Sequence, residues 1–319
     1  MQTETTEISI KGCTYRVPSL QIGERQIIVT KGWTSIASVK DEPWLEGEAV
    51  DNPEEFIKSI RQCDLKADIF TFAQKIPNTV PKYTYPMEWD NVAALPANDF
   101  THWWESLPKE TRKNVRRAQK RGVVVREIPF CAELIKGIMN INDELPIRQG
   151  KPFWHYGKSY DIVNKDYATF LDRSVYIGAY YENILIGFIK MVYMGNIAGI
   201  LQLLCMHRHY DKRPANALIA KAVEICSSKG LLFLVYGKYT YGKIKSSQLT
   251  IFKHRNGFEP VNIPRYSVPL SARGWLSIKT GLHRGWKSFL PGFVQEFAVR
   301  SRMKWYTMKN TDDNSQEID

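Results

Sequence analysis

The stretch from residue 174 to 237 constrains the fold of this chain more than any other. Three apolar runs joined by short polar turns predict a meander of antiparallel strands, at Ser174–Tyr181, Ile184–Tyr193 and Ile197–Met206. A basic loop follows, then an amphipathic helix that begins at Pro214, and then a buried strand over Leu231–Tyr236. Because a helix N-terminus presents unpaired N–H groups, the loop before Pro214 predicts a place for a phosphorylated ligand.

Composition limits the class of protein. The 319 residues suffice for two domains, and an apolar fraction of 44% supports folded cores. The formal net charge of +11 favours an anionic partner, such as a phosphate, a nucleotide, nucleic acid or a membrane surface. The five cysteines form no CxxC pair and have no histidine at ligand spacing, which predicts reduced thiols, a cytoplasmic protein and no metal site. The first residues lack a leader pattern, so we expect no signal peptide.

The order of predicted elements indicates two lobes. The first hundred residues mix short strands with a helix over residues 53–62. A basic helical segment covers residues 103–122, with Ser106 as its predicted cap and Pro108 in its first turn. We therefore predict an N-terminal lobe over residues 1–128 that includes the basic helix, a C-terminal lobe over residues 129–308, and a disordered tail over residues 309–319.

Three segments carry a resemblance to a known family. The first is Ser106–Gly122, SLPKETRKNVRRAQKRG, which is similar to a motif of the form LPxxxRxxIRxAxxxG. The second runs from Arg213 to Gly230 and is similar to the helix after the family's central strands. The third joins Phe252-Lys253 to Asn256-Gly257-Phe258 and is close to an FKxxFG signature. Through these motifs the chain resembles the GNAT acyltransferase superfamily. Within it, the chain resembles the Fem-type transferases that build peptidoglycan cross-bridges and their relatives in polysaccharide gene clusters.

The resemblance implies an α+β fold with two GNAT-like lobes that face a shared cleft, each a mostly antiparallel mixed sheet flanked by helices. It implies transfer of an acyl or aminoacyl group from a CoA-type thioester, acetyl-CoA or another acyl-CoA. The acceptor would be an amine or hydroxyl of a phosphorylated or lipid-linked precursor of the cell envelope or of a polysaccharide. Members that use aminoacyl-tRNA carry a large helical-hairpin insertion, which finds no room here after Gly257. We therefore expect a thioester donor rather than aminoacyl-tRNA.

Residues around the start of the Pro214 helix are predicted to bind the donor's phosphates. The family's phosphate loop has the form Q/R-x-x-G-x-G/A, and alanine replaces its first glycine in this chain. Basic side chains add charge to the N–H groups of the helix. The predicted donor-binding residues are Arg208, Lys212, Arg213, Ala215, Asn216 and Ala217. The alternative interpretation is an ordinary helix start with Pro214 in its first position.

Candidate catalytic residues flank the same strands. Histidine titrates near neutral pH, so His207 or His209 is a candidate base that accepts the acceptor's proton. Tyr241 lies in the loop after the last strand of the series and is a candidate acid for a leaving thiolate. Lys238 and Tyr239, in the same loop, are predicted to contact substrate. Solvated histidines and a loop anchored by aromatic packing are the alternatives.

Further residues are predicted to bind substrate. Lys253 belongs to the third motif, where the resemblance implies a cation close to an anionic donor or acceptor. Without the resemblance, Lys253 reads as an exposed helix lysine. Trp33, in a turn of the first lobe, is a candidate contact for the acceptor. On the basic helix, Arg112 and Arg116 are candidates for binding a phosphorylated lipid or a nucleotide-activated sugar.

The basic helix supports a second hypothesis. A charge run is usually a solvated face, but it also attracts phosphates without base-specific contacts. The chain would then be a catalytically degenerate GNAT-like module that binds nucleic acid or an anionic membrane surface. Residues 273–304 mix cations with aromatic residues, so they either contact a membrane peripherally or pack on the domain. The irregular period of this stretch favours packing.

Overall fold

The computed structural model describes residues 3–284, except residues 11, 149 and 242–246. Over this range the chain forms two compact units. The first comprises residues 3–92 and 260–284, and the second comprises residues 93–259. The chain therefore leaves the first unit after Val92, builds the second, and returns to the first at Pro260.

Strands and helices alternate along the described chain. The strands are β1 (Glu4–Ile10), β2 (Cys13–Ile22), β3 (Arg25–Thr30), β4 (Ile36–Val39), β5 (Ile69–Ala73), β6 (Met87–Pro96), β7 (Val124–Ile128), β8 (Ile147–Arg148), β9 (Lys151–Pro152), β10 (Ser174–Tyr181), β11 (Ile184–Met194), β12 (Ile197–Cys205), β13 (Phe233–Val235) and β14 (Glu259–Pro269). The α-helices are α1 (Pro53–Gln62), α2 (Phe100–Ser106), α3 (Lys109–Lys120), α4 (Ala132–Asn142), α5 (Tyr160–Tyr167), α6 (Pro214–Ser228), α7 (Gln248–Arg255) and α8 (Ala272–Thr280).

The first unit is built on a mixed, mostly antiparallel sheet. Strands β1 to β4 pair in sequence as antiparallel neighbours, β4 pairs with β5 in parallel, and β5 pairs with β14. Helix α1 covers this sheet because Phe56, Ile57 and Ile60 recur at helical spacing and are buried. The Phe56 ring stacks on Phe70 with centroids 6.0 Å apart, which joins the helix to the aromatic centre of this core.

The second unit holds the predicted meander. Strands β10, β11 and β12 pair antiparallel in that order, β12 pairs with β13 in parallel, and β13 pairs with the end of β6. Strand β7 pairs with the outer edge of β10. Helices α4 and α6 both contact β11, which accounts for the nearly continuous burial of that central strand. Mixed sheets flanked by helices confirm the predicted α+β class.

The basic segment differs from its prediction. It is two helices, since α2 ends at Ser106 and α3 begins at Lys109. Pro108 disfavours a helical conformation at Leu107, so the helix breaks there. Ser106 is therefore not a cap for α3, and its hydroxyl donates to the Trp103 carbonyl at 2.8 Å.

The division of the chain also differs from the boundary predicted at residue 128. Helix α3 and strand β7, assigned to the N-terminal lobe above, lie in the second unit, where α3 contacts α6. Residues 260–284, assigned above to the C-terminal lobe, lie in the first unit. The chain crosses between units at two places, which a linear reading of element order does not reveal. Predictions for residues 285–319, including the tail, lie outside the described residues.

Candidate functional site

Strands β12 and β13 lie side by side at one end and separate towards the other. The strands pair only at their starts, at Ile197–Phe233, Ala198–Leu234 and Gly199–Val235. Beyond Val235 the chain stays with β6, since the Tyr236 N–H donates to the Ala93 carbonyl and the Ala93 N–H donates to the Gly237 carbonyl, both at 2.8 Å. Strand β12 instead continues beside β11 as far as Cys205. Within the described residues no strand pairs with its edge over residues 200–205, and this space between the two strands is called the gap below.

A β-bulge marks the point of separation. Met191 pairs with Ile200 and Lys190 pairs with Gln202, so Leu201 is an extra residue in β12. A bulge bends its strand, increases the local twist and re-aims the side chains that follow. The bulge lies two residues after the last β12–β13 pair, which accounts for the divergence of the two strands.

The loop that follows β13 covers a buried cation. The Lys253 ammonium donates to the Lys238 carbonyl at 2.6 Å and lies 4.5 Å and 5.2 Å from the ring centres of Tyr236 and Tyr241. Its side chain is 0% exposed, so the interpretation of Lys253 as an exposed helix lysine is wrong. Burial lowers the pKa of Lys253 to about 8. Among the described residues, no carboxylate pairs with it.

Tyr241 lies beside this cation. Its hydroxyl is 3.1 Å from where a Cβ on Gly237 would be, and Gly237 has a φ of 55°, so a glycine suits this turn on both counts. Burial raises the pKa of Tyr241, while a hydrogen bond with the Lys238 backbone opposes that rise. The hydroxyl is therefore protonated at neutral pH. In the same loop Lys238 is exposed and Tyr239 is half-buried.

The start of α6 follows a short 3-10 helix. A 3-10 helix over His207–Lys212 leads to Arg213, which takes the left-handed conformation with a φ of 58°. Within the described residues no side chain makes a capping hydrogen bond at the start of α6, so its first-turn N–H groups carry the partial positive charge of a helix N-terminus. Glu144 fixes the preceding turn by accepting from the N–H groups of His207 and Arg208 at 2.5 Å and 2.9 Å.

Helix α7 and Asn256 connect both sides of the gap. Thr250 donates to the Tyr239 carbonyl at 3.3 Å and thereby supports the loop after β13. The Asn216 side chain, in the first turn of α6, donates to the Asn256 side chain at 3.0 Å. The Trp103 indole donates to the Asn256 carbonyl at 3.1 Å. Asn256, which the sequence analysis named only as part of a motif, links α6 to α2 through these two bonds.

The predicted cations near α6 are dispersed. The Lys212 ammonium lies 4.5 Å from the Tyr181 ring centre and 3.6 Å from Asp211. The Arg208 guanidinium contacts the sulfur of Met206 at 3.5 Å. Arg213 is exposed, and Ala215, Asn216 and Ala217 are half-buried in the first turn of α6. Four of the predicted donor-binding residues therefore lie together at the start of α6: Arg213, Ala215, Asn216 and Ala217. Lys212 instead lies against Tyr181 at the end of β10.

The two histidines point in different directions. The His209 ring lies 5.8 Å from Tyr181 at the end of β10, two strands away from β12. Burial, together with Lys212 and Arg208, lowers the pKa of His209. His207 is exposed and lies 4.9 Å from the Tyr210 ring. The position of His209 favours His207 as the candidate base, and its role stays a prediction.

The remaining predicted contacts lie outside the gap. Arg116 is exposed on α3 with its guanidinium 5.5 Å over the Trp104 ring, and Arg112 is half-buried. Arg121 pairs with Asp211 at 3.0 Å, so α3 reaches the turn before α6. In the first unit, Trp33 is 56% exposed. These substrate-binding roles stay predictions.

A buried polar cluster beside β12 was not foreseen from the sequence. Asn142, His155 and Tyr167 are each buried, yet polar side-chain atoms of all three lack a hydrogen bond of good geometry within the described residues. The Nε of Arg148 also lacks such a hydrogen bond, whereas its Nη1 donates to the Cys205 carbonyl at 3.1 Å. Burying polar groups without partners is costly, so the cluster suits water or a substrate group. Its only sequence signal is the polar, aromatic composition of residues 147–156.

The cluster is rich in donors. Burial, with Lys158 and Arg148 nearby, lowers the pKa of His155 to about 4, so its ring is neutral at pH 7. The Gln202 amide nitrogen lies 3.4 Å from His155 Nε2, and this assignment makes Nε2 the acceptor and places the ring proton on Nδ1. The groups that lack a hydrogen bond of good geometry within the described residues then include an N–H of His155, an N–H of Arg148 and the O–H of Tyr167, which interacts with Asn142. Such a set fits an oxygen-rich group.

Comparisons with known proteins bear on the fold. No family profile and no curated protein sequence matches this chain. Solved structures do: FemX matches with a TM-score of 0.55 and 10% identity, over 82% of this chain and 88% of FemX. The C-terminal domain of a protein described as a lysylphosphatidylglycerol synthetase from Agrobacterium fabrum matches with a TM-score of 0.53 and 13% identity, over 81% and 85% of the two chains. L-PGS from Bacillus licheniformis matches with a TM-score of 0.51 and 14% identity, over 82% and 86%.

The fold of this chain is therefore similar to that of FemX. The predicted resemblance is thereby confirmed at the level of fold. Within it, the three segments that carried the resemblance meet: Thr111 of the first donates to the Arg255 carbonyl beside the third at 2.8 Å, and Asn216 of the second bonds to Asn256 of the third. Their spacing along the sequence therefore reflects contact in the Fem-type fold.

Three further features concern the described residues. No helix among them is long and apolar enough to cross a bilayer. No group of three or more His, Cys, Asp or Glu side chains within the described ranges is arranged to hold a metal ion. All five cysteines are free thiols.

Proposed function

We propose that this protein is an acyltransferase or aminoacyltransferase that modifies an amine or hydroxyl of a cell-envelope or polysaccharide precursor. One observation carries the proposal: the parted strands β12 and β13 are flanked by the uncapped start of α6 and by the buried cation of Lys253. The Fem-type fold and the similar structures described as FemX and as a lysylphosphatidylglycerol synthetase support this class of reaction. The free thiols suit a cytoplasmic site of action.

The donor proposed is an acyl-CoA, acetyl-CoA or a longer acyl thioester. Its phosphates would lie against the first-turn N–H groups of α6, beside Arg213, Ala215 and Asn216. The absence of a capping side chain supports this fit, because a cap would occupy those N–H groups. Ala215 stands where the family's motif has glycine. Its methyl group limits how closely a phosphate can approach the backbone, but the N–H groups remain available to donate.

Groups of this chain would carry out distinct parts of the reaction. A bound thioester would supply an activated carbonyl. Backbone N–H groups at the free edge of β12, over residues 200–205, would stabilise negative charge that develops on the carbonyl oxygen. Tyr241, protonated beside Lys253, would give its proton to the leaving sulfur. His207 or a water molecule would accept the proton that the acceptor amine or hydroxyl releases.

The acceptor is proposed to reach β12 from the side of the polar cluster. Gln202 lies in the part of β12 that has left β13, and its side chain contacts His155. The donors of His155, Arg148 and Tyr167 would bind an oxygen-rich group of the acceptor, as found in a sugar or a phosphorylated precursor.

Ligand-induced thermal stabilisation tests the donor. Acetyl-CoA at 100 times its dissociation constant should stabilise the protein by about 2.7 kcal/mol. Ala215→Asp should abolish this shift, because it places a carboxylate against the phosphates while a carboxylate in the first turn suits the helix itself. Ser228→Asp is the matched control, since it adds the same charge to α6 about 20 Å away.

Three outcomes decide the donor. A shift with acetyl-CoA or a longer acyl-CoA that Ala215→Asp removes and Ser228→Asp preserves supports the proposal. No shift with any acyl-CoA, combined with transfer from aminoacyl-tRNA, keeps the transferase and replaces the donor. Equal loss in both variants would mean that bulk charge, rather than the start of α6, governs binding.

A binding module is the second candidate, and one observation favours it. Lys109, Lys113, Arg116 and Lys120 are exposed on α3, so one helix surface carries unshielded positive charge. A module of this kind would bind RNA with a steep dependence on salt and would not respond to acyl-CoA. Lys113→Gln with Lys120→Gln should flatten that dependence, whereas the donor affinity of a transferase should survive the same changes.

A further inference from the structure

Helix α8 exposes large apolar side chains on the first unit. Trp275 is 53% exposed and Leu276 is 48% exposed. Both belong to the helix face formed by residues 272, 275, 276 and 279, all of which are exposed, whereas Gly274 and Ser277 on the opposite face are buried. Trp33, in the turn between β3 and β4, is 56% exposed and adjoins this face through Arg273.

The inner face of α8 is held tightly. A Cβ on Gly274 would lie 1.9 Å from the Asp68 carbonyl oxygen, so only glycine permits this approach. Ser271 caps the helix by accepting from the Gly274 N–H at 3.0 Å and donates to the Asp68 carboxylate at 2.7 Å. Ser277 bonds to Thr34 at 2.9 Å. The exposed face is therefore presented in one orientation, fixed to the sheet of the first unit.

Cations surround the exposed rings. The Arg273 guanidinium lies 5.4 Å from the Trp33 ring centre, and the Lys279 ammonium lies 4.8 Å from the Trp275 ring centre. Lys31, two residues before Trp33, is also exposed. At the end of the helix, Glu88 is neutralised by Arg284 at 2.7 Å. Indole rings and leucine side chains bordered by basic residues are the composition that binds the interface of an anionic bilayer.

We propose that the α8 surface, formed by Trp33, Arg273, Trp275, Leu276 and Lys279, docks the protein on an anionic lipid bilayer. The tryptophan rings would lie at headgroup depth with Leu276 among the upper acyl chains, while the two cations bind lipid phosphates. An acidic protein surface would satisfy the cations, but it would leave Trp275 and Leu276 without a comparably apolar layer. The inference stands apart from the proposed transfer reaction, since it rests on residues outside the gap between β12 and β13.

Vesicle co-sedimentation of the full chain tests the proposal. Vesicles of phosphatidylcholine with phosphatidylglycerol should bind the protein, more weakly as salt rises, and vesicles of phosphatidylcholine alone should bind it poorly. Trp275→Ser with Leu276→Ser should weaken binding at least ~10-fold, because the apolar anchors are lost. Trp89→Ser is the matched control, since Trp89 is 55% exposed in the same unit but lies on β6. Because all three side chains are exposed, the variants should melt at the wild-type temperature.

A second double variant keeps the proposal testable if the serine variant misfolds. Arg273→Gln with Lys279→Gln should also weaken binding to anionic vesicles and reduce its salt dependence. Failure of the wild-type protein to bind, or unchanged binding by both double variants, overturns the proposal. So does binding that disappears only when Lys113 and Lys120 on α3 are neutralised. A change in size on gel filtration caused by the serine variant would instead assign the surface to a second copy of the chain. None of these measurements requires transfer activity.

Discussion

Two lysines of the second unit are equally buried, but they differ in the number of hydrogen-bond acceptors around their ammonium groups. Lys190 and Lys253 are both 0% exposed, and burial lowers the pKa of each to about 8. The Lys190 ammonium donates to the Tyr167 carbonyl, to the Thr169 carbonyl and to the Thr169 hydroxyl, at 2.8, 2.5 and 2.8 Å. Among the described residues, the Lys253 ammonium has one such acceptor, the Lys238 carbonyl, and it also lies near the rings of Tyr236 and Tyr241.

The difference separates a structural cation from one suited to a ligand. An ammonium has three donors, and those of Lys190 are fully used by the chain. Lys253 uses one of its donors on a described residue, and the rings of two tyrosines compensate its charge only in part. Burial and pKa alone would rank the two lysines as equals. The number of acceptors around each one distinguishes them, and the following predictions test that distinction.

The largest effect is expected for Lys253→Met. If Lys253 binds an anionic group of the donor or acceptor, its loss should lower kcat/KM for acyl transfer by about 10²- to 10³-fold. The free energy of unfolding should stay within about 1 kcal/mol of wild type, because relief of the buried charge offsets the lost bond to Lys238. Thiol release from the acyl-CoA and urea denaturation measure the two quantities. A loss of stability with unchanged kcat/KM would make Lys253 another structural lysine.

Lys190→Met should show the reverse pattern. Its three acceptors would remain buried without a donor, so we expect a loss of about 2 kcal/mol in the free energy of unfolding. The kcat/KM of the folded fraction should change little, since Lys190 is saturated by the chain. Denaturation curves and activity at a temperature well below the melting transition check both points. A selective loss of activity would contradict the proposed contrast.

Dependence on pH should reveal both lysines in stability but only Lys253 in activity. Below pH 8 both buried groups are protonated in the folded chain, and the cost of burying charge is fully present. Between about pH 8 and the ordinary value of 10.5, the unfolded chain binds more protons, so stability rises with pH by at most about 1.4 kcal/mol per unit for each lysine. Either methionine variant should show a shallower rise.

Activity should move in the opposite direction over the same range. The ammonium form of Lys253 is lost above about pH 8, so kcat/KM should fall on the alkaline side with an inflection near that pH. Lys253→Arg, if active, should lack this inflection because a guanidinium stays charged. If the inflection persists in Lys253→Arg and disappears in Lys190→Arg, the titrating group is Lys190, which contradicts the prediction.

The smallest effect is expected for Tyr167→Phe. The Tyr167 carbonyl accepts from Lys190, whereas its hydroxyl belongs to the polar cluster, where it interacts with Asn142 without a hydrogen bond of good geometry among the described residues. Removing the hydroxyl alone should therefore leave stability unchanged or slightly higher, and raise the KM for the acceptor about 5- to 10-fold. Steady-state kinetics with varied acceptor measure it. An equal rise in the KM for the acyl-CoA would place the hydroxyl on the donor side.

Much of the second unit could be predicted from the sequence. The meander and α6 follow from local signals, since apolar runs, turn residues and Pro214 act over a few neighbours. The placement of candidate residues after the ends of β12 and β13 could be predicted too, because parallel strands bring their carboxyl ends to one edge. Lys253 was predicted to bind substrate only because it belongs to the third motif, since the sequence of its helix does not indicate that it is buried.

Other parts required long-range contact. The break between α2 and α3 is an exception, since it is a local effect of Pro108 that the sequence analysis missed when it assigned one continuous helical segment. The polar cluster joins Asn142, His155 and Tyr167, which come from two helices and the loop between them, so no spacing rule brings them together. The direction of His209 towards Tyr181 likewise depends on how the turn after β12 sits against β10.

The sequence by itself determined the order of the strands and helices in the second unit, the start of α6 at Pro214 and the three motifs, because these depend on residues close together in the chain. The tertiary structure alone decided which charges are buried and which donors stay free. Desolvation and hydrogen-bond saturation depend on every element packed around a group. For that reason Lys190 and Lys253, which have the same burial and the same pKa, could be distinguished only when their neighbours in space were known.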